Sequence, residues 1–343
     1  LFAQLLDQHL QFDRRLRGAR VDRFRAERVR FAVEFLHQEI KLAAHRGGVC
    51  NMGASGVHMG GETVELLGDV GLYGQEELLL LNRRLLLTGG IRADKSSNNG
   101  DTGKFFFYPK AAVSYRLIKP LGGVDEIKLR GAFGQTGNQP LFGAKYSPDT
   151  TATIGGLFGQ IPGNRAGDAL IEPERQSEFE GGFDAQFADG RAEINFTVYQ
   201  RTISSLILEQ TIAPSLGQET RIFSSDSKLR NRGVEASLTV SPARRPDLTW
   251  LFRTTFFLNR AKITRLDVPA FETGGFGTSL GAFFIEEGAS ATQIIGNEGV
   301  VGDATPDFQM SFSNDLTWKR LSFGFLFDWK QGGDVINLTE FLY

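Results

Sequence analysis

From residue 72 onward the chain alternates apolar and polar residues, and this period constrains the fold more than any other feature. Leu321, Phe323, Phe325, Phe327 and Trp329 share one face, while Ser322, Gly324 and Asp328 share the other. Ile194, Phe196 and Val198 alternate with Glu193, Asn195 and Thr197. Phe308, Met310, Phe312 and Leu316 alternate with Gln309, Ser311, Ser313 and Asp315. Further examples are Val234, Ala236, Leu238 and Val240 against Glu235, Ser237 and Thr239, and Phe179, Phe183 and Phe187 against Glu178, Glu180 and Gln186. A side-chain period of two sorts each set onto its own side of a sheet. The segments run to roughly 9–12 residues, the length that crosses a bilayer when a strand is tilted.

The connections alternate as well. Short ones are expected at Asn82-Arg83, Lys119 to Val124, Asp189-Gly190, Pro242 to Asp247 and Trp318 to Arg320. Long ones are expected at 95–104, 136–173, 207–229 and 260–306. One rim of tight turns and one of long loops is the habit of outer-membrane barrels. A soluble antiparallel sandwich also alternates, but structureless connections this long are uncommon in compact soluble domains. Trp318 and Trp329 fall at opposite ends of neighbouring segments, and Tyr108, Tyr115 and Tyr199 also fall near segment ends. That placement suits interfacial aromatic girdles.

Composition gains meaning only against this pattern. Mean hydropathy is −0.19 and no apolar run reaches the length of a membrane-spanning helix, which taken alone reads as a soluble protein. Alternation, however, hides lipid-facing residues inside an average. With 38 Lys+Arg against 40 Asp+Glu, the chain as a whole has no long-range attraction for nucleic acid or anionic lipid. A single cysteine excludes a disulfide framework and a cysteine-based zinc site.

The first 71 residues differ in kind. All four histidines (His9, His37, His45 and His58) and Cys50 lie there, with arginine enriched between residues 14 and 46. A boundary is expected near 60–72, giving an atypical 1–71 segment and a 72–343 partial barrel. Val29, Phe31, Val33 and Phe35 alternate like a strand, although Arg23 to Ile40 equally fits a helix. The chain does not start with Met and carries no leader pattern, so compartment is not legible there.

Motifs that could carry chemistry are weak. Gly277-Thr278-Ser279-Leu280-Gly281 has the G-x-S-x-G form, but no histidine follows residue 58 to serve the serine. Asn98 to Phe105 resembles a phosphate loop without its first glycine, with Phe105 where a magnesium-binding hydroxyl is needed; a polar hairpin loop is the simpler reading. His37, His45, Cys50 and His58 match no zinc spacing. Glu178, Glu180 and Asp184 share one strand face, with Glu193 across the Asp189-Gly190 turn. Paired carboxylates can act as acid and base, but in a barrel such charge lines a wet lumen or meets a plug. No catalytic residue, metal or cofactor is expected.

Several strings in order resemble the β-barrel of SusC/RagA-type TonB-linked outer-membrane transporters. They run from Tyr73 to Ser97, Phe105 to Arg116, Leu129 to Pro140, Ile171 to Phe187, Ile194 to Ile207, Asn231 to Pro242 and Trp329 to Thr339, and the resemblance extends over residues 73–135 and 172–338. The resemblance implies an all-β, antiparallel up-and-down meander supplying about ten of the family's 22 strands, without plug, TonB box or last strands. It does not extend to residues 1–71, which look foreign to it. It further implies TonB-dependent uptake of a large nutrient such as an oligosaccharide or peptide, beneath a SusD-like lipoprotein lid. Phe196, Phe312, Phe325 and Phe327 should then face outer-membrane lipid, and Glu193, Ser311, Ser322 and Asp328 the lumen. The loop aromatics Phe142, Tyr146, Phe158, Phe276, Phe283 and Phe284 are the candidate ligand contacts. The competing classes are a non-transporting structural or adhesive β-protein and, more remotely, a barrel enzyme.

Overall fold

The computed structural model describes residues 29–35, 41–46, 62–213, 215, 217–275, 280–337 and 339, with side chains from residue 68 onward except Ile154. Its principal feature is an eleven-stranded antiparallel sheet. We number its strands β1 (Val29–Phe35), β2 (Asp69–Leu80), β3 (Leu85–Ser96), β4 (Phe106–Ile118), β5 (Val124–Asn138), β6 (Glu174–Phe187), β7 (Ala192–Ser204), β8 (Lys228–Arg245), β9 (Leu248–Arg265), β10 (Phe308–Trp318) and β11 (Leu321–Gln331). From β2 to β11 each strand pairs with the next, so ten strands form an unbroken up-and-down meander. At 11 to 18 residues they match or exceed a bilayer crossing, and the 18-residue pair β8 and β9 must project beyond it. The sheet is an open arc: β1 and β11 have no outer neighbour among the described residues.

The register carries one apolar face across the whole sheet. Phe327 lies opposite Phe312, which lies opposite Thr254, and the row continues through Leu238, Ile194, Ala185 and Ile127. One residue pair along, Phe196 lies between Phe183 and Ala236. Because opposite residues of an antiparallel pair point to the same side, Phe196, Phe312, Phe325 and Phe327 share this face, as expected. Rings meet across strands at Phe133–Phe179 (4.6 Å), Phe183–Phe196 (5.6 Å) and Phe308–Trp329 (5.1 Å). Asn314 interrupts the face, and its Oδ1 accepts a hydrogen bond from Trp250 Nε1–H at 3.2 Å. Glu76 lies opposite Gly89 on the same face, and nothing in the structure explains it. Position for position, Val29, Phe31, Val33 and Phe35 of β1 fall in register with Leu78, Glu76, Gly74 and Leu72. The stretch that reads as strand or helix in sequence is therefore a strand, paired across the compositional boundary.

The two rims are as different as the connections imply. Four of the five short turns hold non-glycine residues in the left-handed region: Leu81, Asn82 and Arg83; Lys119; Ala188 and Asp189; Lys319. Such φ values give a two- to five-residue reversal the twist of the flanking strands. The fourth turn is shorter than the sequence implies, because β8 continues through Pro242 to Arg245. The register slips between Val240 and Ala243, and a bulge is where a strand can hold a proline that has no N–H to donate.

At the other rim, the long connections fold into structure of their own. Hairpin 149–154/157–162 stands on the β5–β6 connection. Arg165–Ala166 of that connection pairs in parallel with Thr220–Ser224 of the β7–β8 connection, which also pairs with Ile207–Thr211. A four-stranded sheet occupies the β9–β10 connection. Between the β5–β6 and β7–β8 connections Ala144, Ile171 and Ile222 form a buried cluster, with Ile207 against it.

Candidate functional site

The polar face of the sheet is built by the same alternation. Glu178, Glu180 and Asp184 of β6 do lie together there, but not as a free acid/base pair. Arg130 of β5 reaches Asp184 and Glu180, each at 3.3 Å, and also donates to Thr197 Oγ1. Lys128 Nζ approaches Asp184 at 3.3 Å, and Arg201 Nε donates to Glu178 Oε2 at 2.9 Å. Nearer the short turns, Arg116 grips Glu126 through two hydrogen bonds, 2.8 and 2.6 Å. Glu193 accepts from Asn195 Nδ2 at 3.3 Å, and Asn195 also donates to Ser237 Oγ at 3.2 Å. These groups are partly exposed, so each ion pair contributes at most about 1 kcal/mol. Their collective effect is a charged, wettable surface with no net preference for either sign.

Aromatic groups also stand on this polar face. Tyr108 and Tyr199 belong here, which corrects their expected place in a lipid-facing girdle: Tyr108 is opposite Arg92, and Tyr199 is opposite Glu180 and Gly233. Of the tyrosines assigned to the girdle, Tyr115 keeps its place, between Leu85 and Leu129. The Tyr199 ring lies directly over Gly233, where a Cβ would collide with it, and its hydroxyl donates to Asn259 Oδ1 at 3.2 Å. Phe257, 40% exposed, completes the patch. Together with Glu178, Arg201 and Glu235 they line a cavity of about 300 Å³. A second cavity of about 530 Å³ lies towards the short turns, between Arg83, Arg84, Lys128, Asp184 and Glu193. The signal for Phe257 is present in the sequence. Phe256 and Phe257 are adjacent, so alternation must send one of them to the polar face, and Phe256 stacks on Phe308 at 5.9 Å on the other.

The loop aromatics separate into two groups. Phe158, at the tip of the 149–162 hairpin, is 90% exposed, Tyr146 59% and Phe142 42%. Phe283 and Phe284, in contrast, are half-buried in strand Ala282–Ile285 of the β9–β10 connection. Phe276 and the serine of the G-x-S-x-G string lie outside the described residues, as do the side chains of His37, His45, Cys50 and His58. The phosphate-loop-like stretch is a turn, with Asp101 Oδ1 accepting from the Gly103 amide at 2.9 Å.

The outer loops are latched to one another. Lys145 Nζ donates to the carbonyls of Ser97 (2.6 Å) and Asn99 (3.2 Å), the Gly100 amide to Ile171 O (2.8 Å), and Asn98 Nδ2 to Pro140 O (3.0 Å). Asp168 and Glu172 are tied to Ser224 in the next connection.

The family model described as "TonB dependent receptor-like, beta-barrel" matches residues 62–339. The chain belongs to this family. Its wall is accordingly that of an outer-membrane barrel, the polar face directed to the lumen and the apolar face to lipid. TonB-dependent receptor P3 of Formosa agariphila is 23% identical over 368 residues, covering 90% of this chain and 36% of the relative. That share of the chain is more than residues 72–343 supply, so the alignment extends into the first 71 residues. TonB-dependent receptor SusC of Bacteroides thetaiotaomicron is 23% identical over 211 residues, covering 57% of this chain and 21% of the relative. Among solved structures, the RagAB peptide importer in its closed-closed state superposes with a TM-score of 0.69 at 16% identity, over 81% of this chain and 35% of that one. The Escherichia coli outer membrane transporter YddB gives 0.54 at 12%, over 82% and 36%. The chain thus spans about a third or less of the relatives it matches, and the structural likeness is one of fold.

Proposed function

We propose that this chain is the wall and outer-loop portion of a transporter that takes up a large solute, an oligosaccharide or a peptide, by TonB-dependent import. The observation that carries this reading is the pairing of a continuous charged and aromatic lumen face with an outer rim of latched loops. Those loops expose Phe142, Tyr146 and Phe158. Aromatic faces suit both sugar rings and peptide side chains, and the alternating ion pairs bind neither sign exclusively. SusC and the RagAB importer are consistent with either class of solute. TonB and a SusD-like lid over the outer rim are the partners this reading requires.

We read the protein as a receptor and not an enzyme, because Glu178, Glu180 and Asp184 are each engaged by a guanidinium or ammonium group and Glu193 is held by the Asn195 amide. The test is deletion of residues 149–162 from the complete protein. Binding is then measured to a neutral oligosaccharide mixture and to a tryptic peptide pool. Loss of affinity for one of the two supports the proposal and names the solute class; unchanged affinity for both sinks it.

A further inference from the structure

The short-turn rim is basic. Within residues 81–84, 119–125, 188–191, 244–247 and 319–320 there are eight Arg or Lys residues and three acids, Asp125, Asp189 and Asp247. The β9–β10 connection at the opposite rim, residues 266–307, holds seven Asp or Glu and no Arg or Lys. A net charge of −2 therefore conceals two rims of opposite sign.

The basic groups are not consumed by the protein. Among the described residues none of the eight forms an ion pair, and all eight are exposed. Nor does the rim move freely, because each turn is tied to a neighbour. Ala188 N–H donates to Gly123 O (3.1 Å), Gly190 N–H to Asp125 Oδ2 (2.9 Å), Ser241 N–H to Arg191 O (2.7 Å) and Lys319 N–H to Asp247 O (2.8 Å). Arg244 Nη2 donates to Gly190 O at 2.9 Å, fixing that side chain along the rim.

Immediately beside these charges the lipid-facing side carries Trp250, Trp318 and Leu321, at 41%, 52% and 68% exposure. The register aligns Arg245 with Leu248, and Leu248 with Trp318, while Lys319 Nζ stands 5.6 Å from the Trp318 ring centroid. Exposed tryptophan fixes this rim at headgroup depth. A row of unpaired cations at that depth is complementary to phosphate esters.

We propose that the short-turn rim is a binding surface for anionic phospholipid headgroups of the adjoining leaflet, centred on Arg245, Lys319 and Arg320 beside Trp250 and Trp318. The rim thereby selects its lipid annulus and sets the depth of the barrel in the membrane.

The experiment places the complete protein in nanodiscs of equal phosphatidylcholine and phosphatidylglycerol. The lipid retained after mild detergent extraction is then measured by mass spectrometry. Phosphatidylglycerol should be enriched over the bulk ratio. In the triple variant Arg245→Ser, Lys319→Ser, Arg320→Ser, enrichment should fall by about fivefold or more, since each surface basic residue changes partitioning by about that factor. Arg232→Ser, at the opposite rim, removes one charge and should change nothing.

Equal heat-modifiable migration in pure phosphatidylcholine verifies that the variants are folded. If the triple variant does not fold, loss of the wild-type enrichment on raising salt carries the test instead. A wild-type annulus that mirrors the bulk, a triple variant that keeps its enrichment, or a salt-insensitive enrichment each overturns the proposal. So does capture of soluble polyglutamate by the wild-type rim with no lipid enrichment, which would assign the surface to an acidic protein.

Discussion

In the barrel wall Phe327 is 57% exposed beside Phe312 (6.3 Å), while in the outer loops Ile171 is completely buried with Ala144 and Ile222. Wall and loop cap have inverted relations to solvent. The wall has no interior of its own: one face turns to lipid, the other to a wet lumen, and the sheet between them is held by strand pairing. The cap is built as small soluble proteins are, with buried aliphatic groups and fully enclosed polar ones such as Asn99, Ser96 and Ser227. Stability of the wall therefore depends on the surrounding bilayer, and stability of the cap depends on contacts between loops far apart in sequence.

Truncating the centre of the cap should have the largest effect. Ile171→Ala removes the branched side chain from a site with no exposure, at a cost of about 2–5 kcal/mol. The expected outcome is outer loops that become susceptible to limited proteolysis at 139–173 and 205–227, while heat-modifiable migration of the barrel is unchanged. Simultaneous loss of both would erase the distinction between wall and cap.

The wall should respond to polarity by face. Phe312→Arg puts a cation on the lipid side and should weaken folding into a bilayer by about 2–4 kcal/mol. Ser311→Arg, one residue along and facing the lumen, should fall well below that. Urea titration in matched vesicles measures both, and equal destabilisation would contradict the assignment of faces. On the lumen side Arg130→Met, which frees Asp184 and Glu180 in partly wet surroundings, should cost about 1 kcal/mol or less.

This contrast also explains what was legible in the sequence. A period of two is local, so the faces carrying Phe196, Glu193 or Asp328 follow from a few neighbouring residues, as does the rim assignment of the turns. The ion pairs of Arg130 do not follow, because they depend on the register between β5 and β6, whose partners are some fifty residues away in the chain. Tyr199 shows the same limit. In sequence it reads as lying near a segment end, as a girdle residue would, yet it stands at the middle of β7 and its side is fixed by its place in the register opposite Gly233. The cap was the least legible region. Its latches, Lys145 on Ser97 and Asn99 and Gly100 on Ile171, join separate connections by contacts that no local pattern encodes. Phe283 and Phe284 look like loop aromatics in sequence for the same reason, although they lie in a small sheet.

The smallest expected effect separates wall and cap by pH. Asp303, in the β9–β10 connection, accepts hydrogen bonds from Thr292 Oγ1 (2.6 Å) and from the Thr305 amide (2.8 Å). Burial alone would raise its carboxyl, but the hydrogen bonds from Thr292, Thr305 and Ser290 outweigh it and hold the group below the usual aspartate range. A carboxyl with a depressed folded value binds fewer protons when folded, so its contribution is present above about pH 4 and is lost as pH falls through the folded value. Amide protection factors across residues 290–305, corrected for the intrinsic exchange rate at each pH, should therefore fall on acidification, with no matching change in the β6–β7 pairing. Asp303→Asn, which cannot titrate, should remove that dependence while slightly loosening the segment at neutral pH. The same acid-induced loss of protection in wild type and variant would show that the Asp303 carboxyl does not hold this part of the cap.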